Sequence, residues 1–246
     1  MIRNLHYVIA SIVLINLASL ANATPVSIDF EPPTYSLGAI AGQDGWSGPD
    51  SVVSSALTRF GAIGGTQSAL AGGSMARDVS SAIESTTPFS FLWDWSDVFS
   101  GNSRFGDFEI QVAGTRIAKF GADISGGTDT RIFAYGLVSG ASTIFQQIKT
   151  GGLRPLLSVT GELRFASNTY DVVFTDLGTG TAYSFTGLNM ITSPTLAAAQ
   201  ADTDFTTINI EGNHYLDNIA LGVPEPTSIV QLGGCLLSLA FASRRR

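Results

Sequence analysis

Cysteine and histidine are nearly missing from this sequence, and their scarcity excludes several kinds of chemistry. The 246 residues contain one cysteine, Cys235, and two histidines, His6 and His214. Because Cys235 lies in the last 24 residues, the rest of the chain can form no disulfide and offers no thiolate nucleophile. A zinc site built on several histidines is excluded. A Ser-His-Asp triad would depend on His214 alone, and the Gly-x-Ser-x-Gly elbow is absent.

Positive charge is also scarce in the main part of the chain. Without Arg3 and the three arginines at the C-terminal end, nine basic residues remain against 20 acidic ones, a net charge of −11. Such a strongly acidic protein repels nucleic acid and disfavours polyanionic partners unless a divalent cation bridges the two.

The first 23 residues have the organisation of a signal peptide. Arg3 precedes a nearly unbroken apolar run from Val8 to Leu20, and Ala21 and Ala23 then supply the small-x-small pattern that signal peptidase accepts. We therefore expect residues 1–23 to be removed by signal peptidase after Ala23. The alternative is an uncleaved N-terminal anchor.

The last 24 residues combine a proline-rich start, an apolar run and a basic end. No residue from Ser228 to Ser243 is charged, and Arg244, Arg245 and Arg246 follow. As a helix, those sixteen residues would be about 24 Å long, against a hydrocarbon core of about 30 Å. The arginines would stay on the cytoplasmic side of the membrane and leave the main domain outside. The alternative is an apolar helix packed on the domain.

This order of features resembles the PEP-CTERM sorting signal of Gram-negative bacteria. The signature residues lie at the start of segment 223–246 and are Val223, Pro224, Glu225 and Pro226. The resemblance implies a transmembrane sorting helix that anchors the precursor in the inner membrane, and processing by an exosortase. It also implies a place in the cell envelope or outside the cell, among exopolysaccharide or biofilm material.

Residues 24–222 are rich in glycine, serine, threonine and phenylalanine, which favours many short strands joined by tight turns. We expect an all-β domain, a two-sheet antiparallel β-sandwich, with one short helix near residues 194–202. The predicted strands are Val26–Glu31, Pro88–Phe99, Phe105–Val112, Thr115–Ile124, Thr130–Val138, Ser142–Ile148, Leu156–Phe165, Thr169–Asp176, Thr181–Thr186, Phe205–Ile210 and Tyr215–Leu221.

The domain also resembles the concanavalin-like jelly rolls found in many PEP-CTERM proteins. Four segments carry the resemblance: residues 29–31, the Gly42–Trp46 turn, the strand at 106–112 and residues 216–219. A galactose-binding-like sandwich is the nearest competing fold.

Phe89, Phe91, Trp93 and Trp95 occupy alternate positions of one predicted strand, so their rings leave the same face of the sheet. Burial in the core is the favoured interpretation, because contiguous exposed aromatic patches are rare. The functional alternative is a surface on which sugars stack, with Trp46, Trp93 and Trp95 as its candidate residues.

Two kinds of carboxylate site are conceivable. Laminarinase-type glucanases place Glu-x-Asp-x-x-Glu on one strand, but this sequence has Glu109 followed by Gln111 and Gly114. We therefore expect no catalytic carboxylate pair there.

The other is a structural calcium site. If the first and last strands are neighbours, Asp29 or Glu31 would lie near Asp217 and Asn218 and could hold calcium. The alternative is that Asp217 and Asn218 form a local turn.

These observations favour a non-catalytic, exported envelope or matrix protein. A carbohydrate-binding module is the second interpretation, and a glycoside hydrolase is the third.

Overall fold

The computed structural model describes residues 24–54, 65–71, 73–94, 103–125, 129–138, 141–149, 156–209 and 214–222. The predicted signal peptide, the sorting segment 223–246 and Trp95 lie outside these ranges. None of the helices within them combines the length and apolar character needed to cross a membrane.

Sixteen strands and two short helices make up the described chain. In chain order they are β1 (Val26–Ile28), β2 (Gly38–Ala39), β3 (Trp46–Ser47), β4 (Ser51–Ser54), β5 (Gln67–Ala71), β6 (Ser74–Asp78), a 3-10 helix (Ser80–Ala82), β7 (Thr86–Asp94), β8 (Ser103–Val112), β9 (Thr115–Ser125), β10 (Asp129–Val138), β11 (Ala141–Lys149), β12 (Leu156–Arg164), β13 (Thr169–Asp176), β14 (Ala182–Asn189), α1 (Leu196–Ala201), β15 (Thr203–Asn209) and β16 (His214–Leu221).

Within the described ranges, the strands form two antiparallel sheets. The nine-stranded sheet has the order β14-β13-β12-β7-β16-β5-β4-β2, and β1 pairs with β16. The seven-stranded sheet has the order β11-β10-β9-β8-β15-β6-β3. The expected all-β, two-sheet antiparallel sandwich is confirmed.

Aromatic side chains from both sheets form the core of the sandwich. Phe89, Phe91 and Trp93 of β7 are buried on one face, as their alternation predicts. Phe108 of the seven-stranded sheet lies 4.5 Å from Phe91 and 4.9 Å from Trp93, ring centre to ring centre. The favoured core interpretation of this strand is therefore confirmed for its described residues.

One local prediction needs correction, and two further features depend on strand pairing. Residues 67–71 form strand β5, which pairs with both β4 and β16. Strand β1 ends at Ile28 instead of Glu31, because Phe30 has a positive φ of 56° and the Asp29 side chain accepts a hydrogen bond from the Glu31 amide. His214, the histidine on which a Ser-His-Asp triad would depend, begins β16 and pairs with Ala71.

Other local predictions are confirmed. The first and last strands are neighbours, since β1 pairs with β16 from Val26↔Leu221 to Ile28↔Ile219. The single predicted helix is α1, and the hydroxyl of Thr195 caps it by accepting a hydrogen bond from the Ala198 amide.

Candidate functional site

Strand β8 presents two carboxylates on the outer face of the seven-stranded sheet, the face directed away from the core. Phe108 and Ile110 point into the core, so the alternating side chains of Asp107 and Glu109 lie on the outer face. Despite this position, the exposed fractions of Asp107 and Glu109 are only 2% and 1%. Buried carboxylates require compensating charge, and here the neighbouring strand supplies it.

Lys119 of β9 bridges the two carboxylates. Its Nζ atom lies 2.5 Å from Asp107 Oδ2 and 3.5 Å from Glu109 Oε1. The opposite side of Glu109 is also engaged, because Gln111 Nε2 donates to its Oε2 atom over 2.9 Å. Lys119 faces Glu109 directly in the register of β8 and β9, which places all four side chains on one surface.

A second cation joins the group because of a β-bulge. The register shifts between Ile110 and Gln111, so that Gln111 faces Arg116 instead of Ile117. This extra residue in β9 turns Arg116 to the outer face, where its Nη2 atom lies 2.6 Å from Glu109 Oε1. The Arg116 side chain is 41% exposed and is the most accessible charged group of the surface.

An aromatic ring from the next strand borders these charges. Lys119 Nζ lies 5.5 Å from the ring centre of Tyr135 on β10, within the range of a cation–π contact. Tyr135 is half-buried, so part of its ring faces solvent. We refer to Asp107, Glu109, Gln111, Arg116, Lys119 and Tyr135 together as the Lys119 cluster.

Within the Lys119 cluster, the pKa of the Asp107 carboxyl is shifted from its ordinary value. Burial raises the pKa of Asp107 above its ordinary value, and the hydrogen bond and charge of Lys119 only partly offset this effect. The second oxygen of Asp107, Oδ1, is buried and has no hydrogen-bond partner among the described residues. The cluster therefore combines fixed charges, a buried acceptor with spare capacity and an aromatic face.

Asp107 is not among the residues predicted from the sequence. The glucanase pattern would start at Glu109, and Gln111 and Gly114 stand where that pattern has carboxylates. The second carboxylate instead lies two residues before Glu109, on the same face of the strand. Alternation along 107–112 could have indicated it, whereas the β9 bulge that adds Arg116 has no comparable sequence signal.

Two of the three predicted stacking tryptophans are unsuitable for that role. Trp46 and Trp93 are 2% and 0% exposed, so neither presents a face to a ligand. Trp46 packs 5.9 Å from Phe30, ring centre to ring centre, and its Nε1 atom donates to the Tyr35 hydroxyl over 3.1 Å. The stacking prediction is wrong for these two residues, because the core takes them up, and Trp95 lies outside the described residues.

The structure brings the predicted calcium ligands together only in part. Asp217 is fully buried; its carboxylate accepts hydrogen bonds from the Ser68 hydroxyl and the Asn218 amide. Burial, together with the smaller effect of the charges of Glu31 and Asp29, raises its pKa to about 7 despite those hydrogen bonds.

Other groups already occupy the remaining carboxylates of this set. Glu31 accepts hydrogen bonds from both the amide and the hydroxyl of Thr66 and from the Gln67 amide. These bonds hold the pKa of Glu31 below its ordinary value although burial acts to raise it. Within the described part of the chain, no group of three or more histidine, cysteine or acidic residues is arranged to hold a metal ion. Calcium binding by Asp29, Glu31, Asp217 and Asn218 stays a prediction.

The predicted processing residues cannot be placed. Ala21 and Ala23 at the signal-peptide cleavage site lie outside the described residues. The same holds for the sorting residues Val223, Pro224, Glu225, Pro226, Arg244, Arg245 and Arg246.

Comparison with known proteins yields similarity at the level of structure alone. No family model matches the chain, and no curated protein matches it. Among solved structures, lectin II from Ulex europaeus is similar over 82% of this chain and 98% of its own, with a TM-score of 0.49 and 10% identity. The globular domain of T. cruzi calreticulin is similar over 84% of this chain and 90% of its own (TM-score 0.48, 8% identity). Peanut lectin is similar over 81% and 97%, respectively (TM-score 0.46, 12% identity).

Proposed function

We propose that this protein is a non-catalytic carbohydrate-binding module whose ligand, a neutral polysaccharide, lies on the outer face of the seven-stranded sheet over the Lys119 cluster. The observation that carries the proposal is the pair of almost fully buried carboxylates, Asp107 and Glu109, held by Lys119 and Arg116 on a surface-directed face. Burying charges is costly, and a solvated surface gains little from it. A rigid array of donors and acceptors, however, is what polyhydroxylated ligands require.

The chemistry of the cluster favours sugars over other small ligands. The Gln111 amide and the Arg116 guanidinium, both held by the buried Glu109, can bond hydroxyl groups through their fixed, planar geometry. The half-exposed ring of Tyr135 offers the apolar surface on which the C–H face of a sugar can lie. Two acidic and two basic side chains balance within the cluster, so it suits a neutral chain better than a polyanion.

The same contacts argue against hydrolysis. The oxygens of Asp107 and Glu109 that bind Lys119 lie within about 6 Å of each other, a separation compatible with a retaining glycosidase. Both carboxylates are nevertheless buried and ion-paired, so neither presents an accessible oxygen to a glycosidic bond. For this reason we assign the pair to binding.

Affinity electrophoresis tests this assignment with laminarin, xyloglucan and dextran as neutral probes and alginate as an acidic one. We expect retardation by a neutral polysaccharide and at least about a tenfold loss of affinity in Y135A. Tyr183 of β14 is also half-buried but belongs to the other sheet, so Y183A is the matched control and should bind normally.

Two outcomes would contradict the assignment. Equal losses of affinity in Y135A and Y183A would show that the ligand does not bind at the Lys119 cluster. Release of reducing ends from any of the four polysaccharides, abolished in both D107N and E109Q, would make the protein a hydrolase.

We further propose that the protein is exported and that an exosortase processes its precursor, which the inner membrane holds by the segment 223–246. This proposal is supported by the sequence features at both ends of the chain. Intact-mass measurement on cell fractions, with and without the exosortase, tests it. We expect Thr24 as the mature N-terminus and a shortened C-terminus only when the enzyme is present. An intact chain of 246 residues in the cytosol would refute it.

A further inference from the structure

The seven-stranded sheet divides between β9 and β10 beside the Lys119 cluster. Pairing of these two strands ends at Ala134↔Phe120. Strand β9 nevertheless remains paired with β8 as far as Thr115, and β10 remains paired with β11 as far as Val138. We call the gap between residues 115–119 and 135–138 the split.

Polar groups from outside the seven-stranded sheet bond the backbone carbonyls that line the split. Two come from β13 and β14: the Tyr170 hydroxyl donates to the Tyr135 carbonyl, and Asn189 Nδ2 donates to the Leu137 carbonyl over 2.9 Å. Two more come from the segment after β14, where the Ile191 amide donates to the Ile117 carbonyl (2.9 Å) and the Thr192 hydroxyl to that of Arg116 (3.1 Å). Because these carbonyls have hydrogen-bond partners, the split is a specific part of the fold and not a frayed end of the sheet.

Tyr170 contacts backbone carbonyls on both sides of the split. Besides its bond to Tyr135, its hydroxyl lies 3.1 Å from the carbonyl oxygen of Lys119. Lys119 and Tyr135 are the two residues whose side chains form the cation–π contact on the outer face. The buried Tyr170 hydroxyl has one hydrogen to donate, and these two carbonyls share it. The hydroxyl thus lies between the backbones of two cluster residues that the strand ladder leaves unpaired.

We infer that Tyr170 is a positioning residue for the ligand surface: its hydroxyl, reaching across from the nine-stranded sheet, fixes Lys119 and Tyr135 relative to each other. The inference rests on the proposed carbohydrate binding at the Lys119 cluster. The geometry requires a hydroxyl and not only a ring, because phenylalanine would preserve the packing but remove the one O–H that the two carbonyls share. Tyr170 itself stays in the core and touches no ligand.

The Y170F variant tests this role, with Y183F as the same substitution on the neighbouring strand of the nine-stranded sheet. The probe is whichever neutral polysaccharide of the panel binds the unmodified protein best. We expect Y170F to lose about fivefold in affinity, the equivalent of one hydrogen bond, and Y183F to be unchanged. In a Y135A background, Y170F should cause a smaller further loss, because one of the two side chains that it positions is already gone.

A second readout needs no ligand. The chain contains only two lysines, Lys119 and Lys149, so the acetylation of one can be measured against the other by mass spectrometry. Lys119 is 14% exposed and is held by its two carboxylates. We expect Y170F to raise the labelling of Lys119 relative to Lys149, and Y183F to leave that ratio unchanged.

The outcomes separate the inference from the proposed function. If no polysaccharide binds, the proposed function fails, and the labelling ratio alone decides whether Tyr170 positions Lys119. If Y170F costs the same affinity in the Y135A background, or if the labelling ratio does not change, Tyr170 is a packing residue and the inference is overturned. Should Y170F fail to fold, Y170M replaces it, since methionine also removes the hydroxyl and adapts its shape to the core. Unchanged affinity and labelling in a folded Y170M would then refute the inference.

Discussion

The two outer faces of the sandwich each carry a group of ion pairs, and the contrast between them is instructive. On the nine-stranded sheet, Arg164 bonds Glu162 over 2.9 Å and Asp171 over 2.5 Å, and all three side chains remain partly solvated. On the seven-stranded sheet, Asp107 and Glu109 are buried with Lys119. Solvated pairs of the first kind are common and contribute little to stability, whereas pairs of the second kind carry a desolvation cost. This difference is what supports the proposal that the Lys119 cluster is a binding surface.

Removing the central cation should give the largest difference between the two faces. K119A leaves two buried carboxylates with much less compensation, so we expect a loss of about 3–5 kcal/mol in the free energy of unfolding. R164A acts on partly solvated groups and should cost about 1 kcal/mol or less. Urea unfolding of both variants measures this contrast, and similar losses would mean that burial does not distinguish the clusters.

Asp217 sharpens the comparison, because it is a buried carboxylate whose charged neighbours include Glu31 and Asp29. Its pKa of about 7 in the folded protein exceeds the ordinary carboxyl value of 3.8. The folded state therefore binds the proton more tightly, and the stability that this provides is lost as pH rises through 7. With EDTA present, we expect unfolding to cost more at pH 5.5 than at pH 8, by on the order of 2 kcal/mol.

The D217N variant is the control for this pH effect. An amide cannot ionise, so most of the difference between pH 5.5 and pH 8 should disappear. A pH profile that is the same in D217N and the unmodified protein would assign the effect to other groups. Asp171 is not such a group, because the hydrogen bond from Arg164 chiefly lowers its pKa and its titration therefore lies below this pH range.

Calcium gives the smallest expected effect and tests the same carboxylates. If the predicted site binds, a divalent cation would replace the proton on Asp217 at pH 8 and compensate the nearby charges. Free calcium at about ten times its Kd would then stabilise the fold by about 1.4 kcal/mol. Thermal melting with calcium or EDTA measures the shift, and D217N should abolish it. Identical melting curves with calcium and with EDTA would show that calcium does not bind at this site.

The sequence predicts those parts of the fold that depend on local pattern. Alternating aromatic residues locate β7, and the run of turns and β-branched residues locates most strands from β8 to β16. Strand β5 was missed because its short side chains, such as Ala69, carry a weak pattern. It becomes a strand through its pairing with β4 and β16.

The candidate site was less predictable, because it depends on tertiary detail. Glu109 was noticed, but its role follows from Lys119 and from the bulge that re-aims Arg116. Neither feature follows from a repeating pattern of residues along the sequence. The tryptophans were the candidate stacking residues of the alternative interpretation, but two of them fill the core, and the ring that borders the cluster is that of Tyr135.

The hydrogen bonds across the split also have a mechanical consequence. Sliding one sheet over the other would break the bonds from Tyr170, Asn189, Ile191 and Thr192 together, so the two layers should move as one body. A polymer arriving at the outer face would meet a surface that is already shaped, with little rearrangement left to accompany docking. The lifetime of such a complex would then be set by how quickly the sugar departs.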